Sequence, residues 1–255
     1  MLLGNFCDKI TVRYANRGEI MLFRKKKRTN YQKSIVVDGS HNKIQRGYDR
    51  LKDNVLYMNA DGKYKVLQFE SAVSSEGKTT VLCNLAVDLG LTEKKVVIVD
   101  LDFYHPSTHR VMKVSNDNGI AEYMLGNIDK NALIKHTDYK NVDIVTRGAE
   151  IYNSSLVLLA DKFKELIKSL REEYDYVLLD CPPVLQVSDY MHVSKLSDGV
   201  ILIVAYAQTT RSQVAEEIKE LRKNGANILG SVFTMYDGKN EKNYGRDYYY
   251  DLRRK

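Results

Sequence analysis

The stretch Glu70-Ser-Ala-Val-Ser-Ser-Glu-Gly-Lys-Thr-Thr80 decides how the rest of the chain is interpreted. A short apolar run, Val66–Phe69, precedes it, and a helical pattern, Val81–Leu89, follows it and stops at Gly90. Strand, loop of small residues, Gly-Lys-Thr and helix form the context of a phosphate-binding loop, because N–H groups at a helix N-terminus converge on an anion. The stretch therefore predicts a nucleotide site, although Ala72 stands where such a loop usually has its first glycine.

Two side chains of this loop have specific expected roles. Lys78 is expected to reach the β- and γ-phosphates, and the Thr79 hydroxyl is expected to ligate Mg²⁺. A chance Gly-Lys-Thr in a lysine-rich chain is the alternative, and the flanking strand and helix disfavour it. The other predicted nucleotide contacts are Ser74, Ser75, Glu76, Gly77 and Thr80.

The composition fits one large α/β domain with a full core. The chain has 255 residues, of which 28% are charged and 44% hydrophobic. The formal charge of +6 is concentrated in two basic runs, Arg24–Arg28 and Arg253–Lys255. These runs favour an anionic partner such as a lipid surface or an acidic protein face, with solvated charged tails as the alternative.

The cysteines and the apolar runs bear on the compartment. Cys7, Cys83 and Cys181 show no paired spacing, and the last two fall in predicted core elements, so we expect reduced, buried thiols and no zinc site. No apolar run approaches the roughly 20 residues of a membrane helix. The first six residues lack the apolar region of a secretion signal, which predicts a cytoplasmic protein.

The chain divides into three parts. Residues 1–34 are basic and without sustained periodicity, so we expect a poorly ordered extension, and Arg17-Gly-Glu-Ile-Met21 suggests that translation starts at Met21. Residues 35–236 form the predicted P-loop domain, and residues 237–255 form a predicted flexible tail. The tail carries the cluster Tyr244, Tyr248, Tyr249 and Tyr250.

Within the domain, apolar strand patterns alternate with helical patterns. This alternation predicts an α/β fold with a doubly wound, mainly parallel sheet and helices on both faces. The predicted strands after the first are 95–102, 142–145, 174–180, 199–205 and 228–233. The predicted helices are 41–57, 81–89, 119–125, 155–171, 189–196 and one that opens with a capping box at 210–213 and ends near 225.

Three aspartates end two of these strands. Asp100 and Asp102 lie on the same side of the second strand at its C-terminal end, where ligands bind in open α/β sheets. Asp180 ends another buried strand, which is the position of a Walker B carboxylate. Carboxylates aimed at one spot need a cation between them, and Mg²⁺ with a nucleotide provides it. Solvated aspartates in loops are the alternative.

These motifs resemble those of the bacterial tyrosine autokinases (BY-kinases) of capsule and exopolysaccharide synthesis, within the deviant P-loop ATPases. Ser71–Thr80 resembles their Walker A motif, Val97–Asp102 their Walker A′ motif, and Val177–Pro183 their Walker B motif. The tyrosine-rich tail resembles their autophosphorylation site. The resemblance extends from about residue 35 to the C-terminus.

Several positions depart from the family's pattern. Ser74-Ser75 stands where Pro-Gly is usual, and Tyr104 stands where an arginine is usual. In the helix that the family uses for ring assembly, the usual Glu and Arg become Arg46 and Asp49. Thr234 replaces the usual Asn near the base. The phosphate and Mg²⁺ ligands are retained.

The resemblance implies transfer of the ATP γ-phosphate to tyrosines of the tail. Lys78, Asp100, Asp102 and Asp180 would be the catalytic side chains, with Asp100 or Asp102 as the base for the tyrosine hydroxyl. Thr79, Asp102 and Asp180 would hold Mg²⁺. A tyrosine with a pKa of about 10 is neutral at pH 7, so a base assists.

The resemblance also implies a location and partners. It implies a cytoplasmic protein at the inner face of the plasma membrane, bound to a membrane adaptor of the polysaccharide co-polymerase type. Self-association, including a ring, and a cognate tyrosine phosphatase are further implied partners, and nucleic acid is not. Two alternatives stay open: a partition-type ATPase without kinase activity, and a nucleotide-binding regulator that transfers phosphate poorly.

Overall fold

The computed structural model describes residues 11–13, 35–36 and 43–236. The tail tyrosine cluster, the two basic runs, Cys7 and the proposed start at Met21 lie outside these residues, so the expectations for them stay predictions. Three residues of the extension that was expected to be irregular, Thr11–Arg13, form a strand that pairs with the last strand.

An eight-stranded sheet, mostly parallel, forms the centre of the structure and confirms the predicted fold class. Its strands are β1 (Thr11–Arg13), β2 (Val66–Ser71), β3 (Val96–Asp100), β4 (Lys135–His136), β5 (Val142–Val145), β6 (Tyr176–Asp180), β7 (Gly199–Ala205) and β8 (Ile228–Thr234). Their order is β1-β8-β7-β2-β6-β3-β5-β4. The two edge strands, β1 and β4, pair antiparallel with their neighbours, and the strands between them are parallel.

Helices connect the strands, as expected for parallel pairing. They are α1 (Lys43–Met58), α2 (Lys78–Leu91), α3 (Thr108–Met112), α4 (Ile120–Met124), α5 (Lys130–Leu133), α6 (Ser154–Leu159), α7 (Asp161–Glu173), α8 (Tyr190–Val193) and α9 (Arg211–Lys223). Thr210 opens α9 with the predicted capping box, in which Thr210 Oγ1 accepts from Gln213 N. Among the described residues, no helix is long and apolar enough to cross a membrane.

The central strands are buried on both faces. In β3, Val96 and Ile98 pack into the core that contains α1 and α2, whereas Val97 and Val99 pack into the core that contains α7. This division explains why β3 is a continuous apolar run rather than an alternating one. Cys83 and Cys181 are buried in these two cores and are not joined in a disulfide, as predicted.

Gly90 does not end α2, contrary to the sequence prediction. The helix continues to Leu91, and a Cβ atom on Gly90 would lie 2.3 Å from the Lys140 carbonyl oxygen and 2.8 Å from Val142 Cγ2. Glycine is therefore required by close packing of α2 on the loop before β5 and not by a helix stop.

The single helix predicted for 155–171 is divided into α6 and α7. Ala160 lies between them in an extended conformation, with φ −65° and ψ 138°. This break lets Leu158 of α6 and Phe163 of α7 both point into one core. No glycine or proline marks the break, so local sequence gave no signal for it.

The order of the strands brings the predicted site together. β6 lies between β2 and β3, so the loops that follow these three strands emerge side by side at the carboxyl edge of the sheet. Asp100, at the end of β3, is the register partner of Asp180, at the end of β6. The Walker A loop emerges from the adjacent strand, β2.

Candidate active site

The loop between β2 and α2 has the backbone geometry that anion binding requires. Ser75 and Gly77 have positive φ values of 67° and 90°, and α2 begins immediately afterwards at Lys78. Thr234, at the end of β8, supports this turn, because its hydroxyl donates to the Glu76 carbonyl oxygen at 2.6 Å. A Cβ atom on Gly77 would lie 3.4 Å from Thr234 Cγ2, so the turn packs against this side chain.

The Glu76 carboxylate holds the loop from inside. It accepts a hydrogen bond from Val73 N at 2.8 Å, another from Ala205 N at 3.2 Å, and one from the Thr209 hydroxyl. Glu76 is buried, and desolvation raises its pKa. The side chain therefore faces the protein, and what Glu76 can offer a phosphate is its backbone N–H.

Lys78, Thr79 and Asp180 form a buried cluster. Lys78 Nζ lies 2.6 Å from Asp180 Oδ1, and the Thr79 hydroxyl donates to Asp180 Oδ2 at 2.7 Å. The Lys78 and Asp180 side chains are 7% and 0% exposed. Burial alone would lower the pKa of Lys78, but the carboxylates of Asp180 and Asp102 raise it above its usual range, so the lysine stays charged.

Asp100 is held by the loop that follows β3. Its Oδ2 accepts from the backbone N–H groups of Ser107 and Thr108, each at 3.2 Å, and from the Thr108 hydroxyl. Its Oδ1 accepts from Asp102 N at 3.2 Å. Burial, followed by the neighbouring Asp180 carboxylate, raises the pKa of Asp100 to about 7. Asp100 thus fixes the path of the loop.

Asp102 is the most accessible of the three aspartates. It is partly exposed, whereas Asp100 and Asp180 are fully buried. One of its oxygens, Oδ1, accepts from His105 N at 2.9 Å. Of the two candidates for the base, Asp102 is therefore the one that an incoming hydroxyl can approach from solvent.

The donor atoms in this cluster fit a magnesium ion. Mg²⁺ prefers hard oxygen ligands and keeps several waters, with one or two carboxylates and substrate phosphates completing its shell. The Thr79 hydroxyl and the Asp180 carboxylate already lie together, and Ser107 Oγ donates to Thr79 Oγ1 at 3.1 Å. The described residues contain no group of three or more His, Cys, Asp and Glu side chains arranged to hold a metal. The threonine hydroxyl and the nucleotide would therefore have to contribute ligands.

The structure adds site residues that sequence reasoning missed. Ser107 and Thr108 hold Asp100, Thr209 holds Glu76, and Gln208 Nε2 lies 3.4 Å from the carbonyl oxygens of both Ser74 and Ser75. The available signals were local: Ser107 and Thr108 follow Pro106 at a helix start, and Thr209 precedes a capping box. Neither signal indicates a contact with a distant carboxylate.

The positions that depart from the family's pattern have defined surroundings. Arg46 is exposed on α1, while Asp49 accepts from Gln45 Nε2 at 3.0 Å and lies 3.8 Å from Lys52 Nζ. Tyr104 is 48% exposed and is part of the loop that Asp100 holds. These contacts lie within one chain and leave a role between subunits a prediction.

Comparisons with known proteins agree with this geometry. The family described as AAA domain matches residues 65–230. Tyrosine-protein kinase YwqD of Bacillus subtilis is 26% identical over 226 residues, which cover 88% of this chain and 95% of that protein. Tyrosine-protein kinase Etk of Escherichia coli is 27% identical over 198 residues, and this chain spans only 27% of its length.

Solved structures of bacterial tyrosine kinase domains and of a related ATPase have the same fold. The kinase domain of Escherichia coli Etk superposes with a TM-score of 0.74 at 26% identity, covering 82% of this chain and 84% of that domain. The septum site-determining protein MinD of Pyrococcus horikoshii, complexed with Mg-ADP, gives a TM-score of 0.55 at 30% identity, covering 66% and 68%. The matched segment contains all three Walker-type motifs. The chain therefore belongs to the AAA-domain family, and the proteins it is similar to include bacterial tyrosine-protein kinases.

Proposed function

We propose that this chain is a protein-tyrosine kinase that transfers the γ-phosphate of ATP to tyrosines of its own C-terminal tail. The buried Lys78–Asp180–Thr79 cluster, beside the accessible Asp102, is the observation that carries this proposal. It combines a phosphate ligand, oxygen ligands for a cation and a base within one edge of the sheet. The tyrosine-protein kinases among the relatives support the same reaction class.

The protein's contribution to the reaction is mainly positioning. The loop N–H groups and the Lys78 ammonium hold the phosphates and stabilise the charge that develops on the transferred group. Thr79, Asp180 and Asp102 would hold Mg²⁺, which supplies charge neutralisation between the β- and γ-phosphates when it is bound. Asp102 accepts or orients the proton of the acceptor hydroxyl. Asp100 keeps the loop that carries Asp102 in place.

The acceptors in this proposal are Tyr244, Tyr248, Tyr249 and Tyr250, in a neighbouring subunit's tail. A membrane adaptor of the polysaccharide co-polymerase type would activate the kinase from the cytoplasmic side, and the basic run at 24–28 would face the anionic leaflet. A cognate tyrosine phosphatase would reverse the modification. The process under control would be capsule or exopolysaccharide synthesis and export.

Incubation of the purified chain with Mg·ATP, with and without the cytoplasmic segment of its adaptor, tests the proposal. Phosphotyrosine should appear and map to the tail by mass spectrometry. The Lys78→Met chain is the matched control and should stay unmodified. Wild-type protein that hydrolyses ATP but never acquires phosphotyrosine, with or without the adaptor segment, contradicts the proposal.

A partition-type ATPase is the second candidate, and the similarity to MinD favours it. Deletion of 237–255 separates the two. It removes the acceptors of the kinase and should leave an ATPase cycle of the partition type unaffected. A nucleotide-binding regulator with weak kinase activity is the other alternative, and Tyr104 in place of the family's arginine is the feature that favours it.

A further inference from the structure

A chain of hydrogen bonds joins two loops and the first residue of α6. The Tyr104 hydroxyl lies 3.1 Å from Ser154 Oγ, and Ser154 Oγ donates to Asp189 Oδ1 at 2.9 Å. Tyr104 follows β3, Ser154 begins α6, and Asp189 precedes α8. The chain is thus built from parts of the sequence that lie about 35 to 50 residues apart.

The direction of these hydrogen bonds is fixed by the number of donors. A serine hydroxyl has one proton, and Ser154 gives it to Asp189. The bond between Tyr104 and Ser154 therefore uses the proton of the tyrosine hydroxyl. Ser154 and Asp189 are 6% and 2% exposed, so the anchor of the chain is buried.

The other end of the chain of hydrogen bonds lies in the turn that carries the proposed base. Tyr104 lies between Asp102 and His105, and Asp102 Oδ1 accepts from His105 N at 2.9 Å, which closes this turn. Burial is the largest cause of the raised pKa of Asp189. Asp189 Oδ2 is buried and has no hydrogen-bond partner among the residues that the structure describes. Burying the unpaired Oδ2 oxygen costs stability. That cost is explained if the other oxygen of Asp189, which accepts from Ser154, positions Tyr104.

Tyr104 itself is presented to solvent. Its side chain is 48% exposed although its hydroxyl is bound, so part of the ring faces outwards two residues after Asp102. Holding the hydroxyl at one end and the backbone at the other restricts the orientation of the ring. A fixed aromatic ring beside the base favours an aromatic acceptor, because two rings gain from edge or offset contacts.

We propose that Tyr104, held by Ser154 and Asp189, is the ring against which the acceptor tyrosine packs as its hydroxyl approaches Asp102. Tyr104 is then a specificity-determining residue, and Ser154 and Asp189 are positioning residues. This inference rests on the proposed function and names a determinant of its substrate class. A serine gains no aromatic contact with this ring, so a serine peptide should be the poorer substrate.

The test uses the full chain with its four tail tyrosines changed to Phe, so that the tail does not compete with added substrate. The probe is a synthetic peptide copying residues 243–251, together with a version in which every Tyr is Ser. Tyr104→Ala, Tyr104→Phe, Ser154→Ala and Ser154→Thr are compared in this background. Tyr152→Ala is the matched control, because Tyr152 is 93% exposed on the same segment as Ser154.

Loss of the ring should raise KM for the tyrosine peptide more than it lowers kcat. Tyr104→Ala should raise this KM about 2- to 10-fold, the range that one aromatic pair contributes. Tyr104→Phe and Ser154→Ala should raise it less, and Ser154→Thr, which keeps the hydroxyl, should restore it. KM for ATP should stay close to the parent's in all variants, and so should the melting temperatures of the Tyr104 variants and the Tyr152→Ala chain. Ser154→Ala leaves Asp189 Oδ1 without its donor and should lower the melting temperature, whereas Ser154→Thr keeps this donor.

Peptide binding, measured separately from turnover, distinguishes failure of this inference from failure of the proposed function. Fluorescence anisotropy of the labelled tyrosine peptide is recorded with a non-hydrolysable Mg·ATP analogue. If the parent phosphorylates the peptide and the peptide KM and Kd are unchanged in Tyr104→Ala and Ser154→Ala, this inference alone is overturned. Tyr104-dependent binding without turnover overturns the kinase proposal alone. Neither binding nor turnover in the parent, with or without the adaptor's cytoplasmic segment, overturns both.

Discussion

Replacing Lys78 by Met should destabilise the protein as well as inactivate it. The substitution removes the ammonium that lies 2.6 Å from Asp180 Oδ1, in a pair whose side chains are 7% and 0% exposed. The Asp180 carboxylate would then keep the Thr79 hydroxyl as its side-chain donor. Breaking a buried ion pair by removing one partner typically costs about 3–5 kcal/mol, because an uncompensated charge stays buried.

Urea unfolding of the nucleotide-free protein at 25 °C measures this effect. We expect the free energy of unfolding to fall by about 3 kcal/mol at pH 7, and the melting temperature by about 6–12 °C for a chain of this size. Lys140→Met is the matched control: its partner is the exposed Glu93, so stability should hardly change.

A double-mutant cycle identifies the cause. Asp180→Asn in the Lys78→Met background removes the charge that the first substitution left unpaired. The double variant should therefore be more stable than the sum of the single effects predicts, by about 1–3 kcal/mol. Strict additivity, or a loss for Lys78→Met no larger than that of the Lys140→Met control, would refute the reasoning.

Three further predictions concern other parts of the chain. Glu217 is buried on α9, and burial followed by the charges of Glu76 and Glu70 raises its pKa from 4.5 to about 9. Glu217 therefore contributes fully to stability below pH 4.5, and this contribution is lost as the pH rises through about 9. In urea unfolding, the free energy of unfolding of Glu217→Gln should decline less steeply with pH than that of the wild type, by up to about 1.4 kcal/mol per pH unit. Parallel declines in the two proteins contradict this prediction. Gly90→Ala should lower the free energy of unfolding by about 1–3 kcal/mol, because the new methyl group meets the Lys140 carbonyl, and a neutral or stabilising result in thermal melts would contradict the packing argument. In Mg·ATP the multiply phosphorylated wild type should dissociate, and it should dissociate less at high salt. The chain with Phe at 244, 248, 249 and 250 should stay assembled. If light scattering shows equal dissociation of both proteins, phosphorylation of the tail does not control assembly.

The fold was predictable because its signals are local and strong. Val96–Asp100 and Gly199–Ala205 are apolar runs that only a strand buried on both faces explains, and the structure has both. The capping box at Thr210 likewise identifies a helix start from four adjacent residues. Gly90 was misread because glycine near the end of a helical pattern has two explanations, a helix stop and a close approach. The atom that decides between them, the Lys140 carbonyl oxygen, belongs to a distant loop.

The candidate site was predictable only in part, for a related reason. Lys78 and Asp180 carry recognisable motifs, so their meeting could be expected from the order of strands. Ser107 and Asp189 lie in loops and Ser154 begins α6, and none of these positions belongs to a motif. Their roles depend on which loops converge at the sheet edge and on single hydrogen bonds between them. Such contacts follow from tertiary geometry, which a single sequence does not display.

The register of two neighbouring strands explains how the three aspartates differ. Asp100 and Asp180 are paired positions of β3 and β6, so two carboxylates are forced side by side in a fully buried layer. Such a pair is tolerable only if each receives its own compensation. Asp180 receives the Lys78 ammonium and the Thr79 hydroxyl, whereas Asp100 receives only neutral donors from the loop that follows it. Burial, followed by the Asp180 charge, therefore raises the pKa of Asp100 to about 7 despite these donors.

This unequal compensation leaves Asp102 as the accessible carboxylate of the three. The donors that satisfy Asp100 come from the same loop that carries Asp102, so the loop is folded back over the sheet edge and Asp102 is left at its surface. Asp180 keeps its oxygens beside Lys78 and Thr79, where nucleotide phosphates and a cation can replace the present partners without exposing a bare charge. One carboxylate thus fixes the loop, one lies beside Lys78 and Thr79, and the third, under the proposed function, would meet the acceptor hydroxyl.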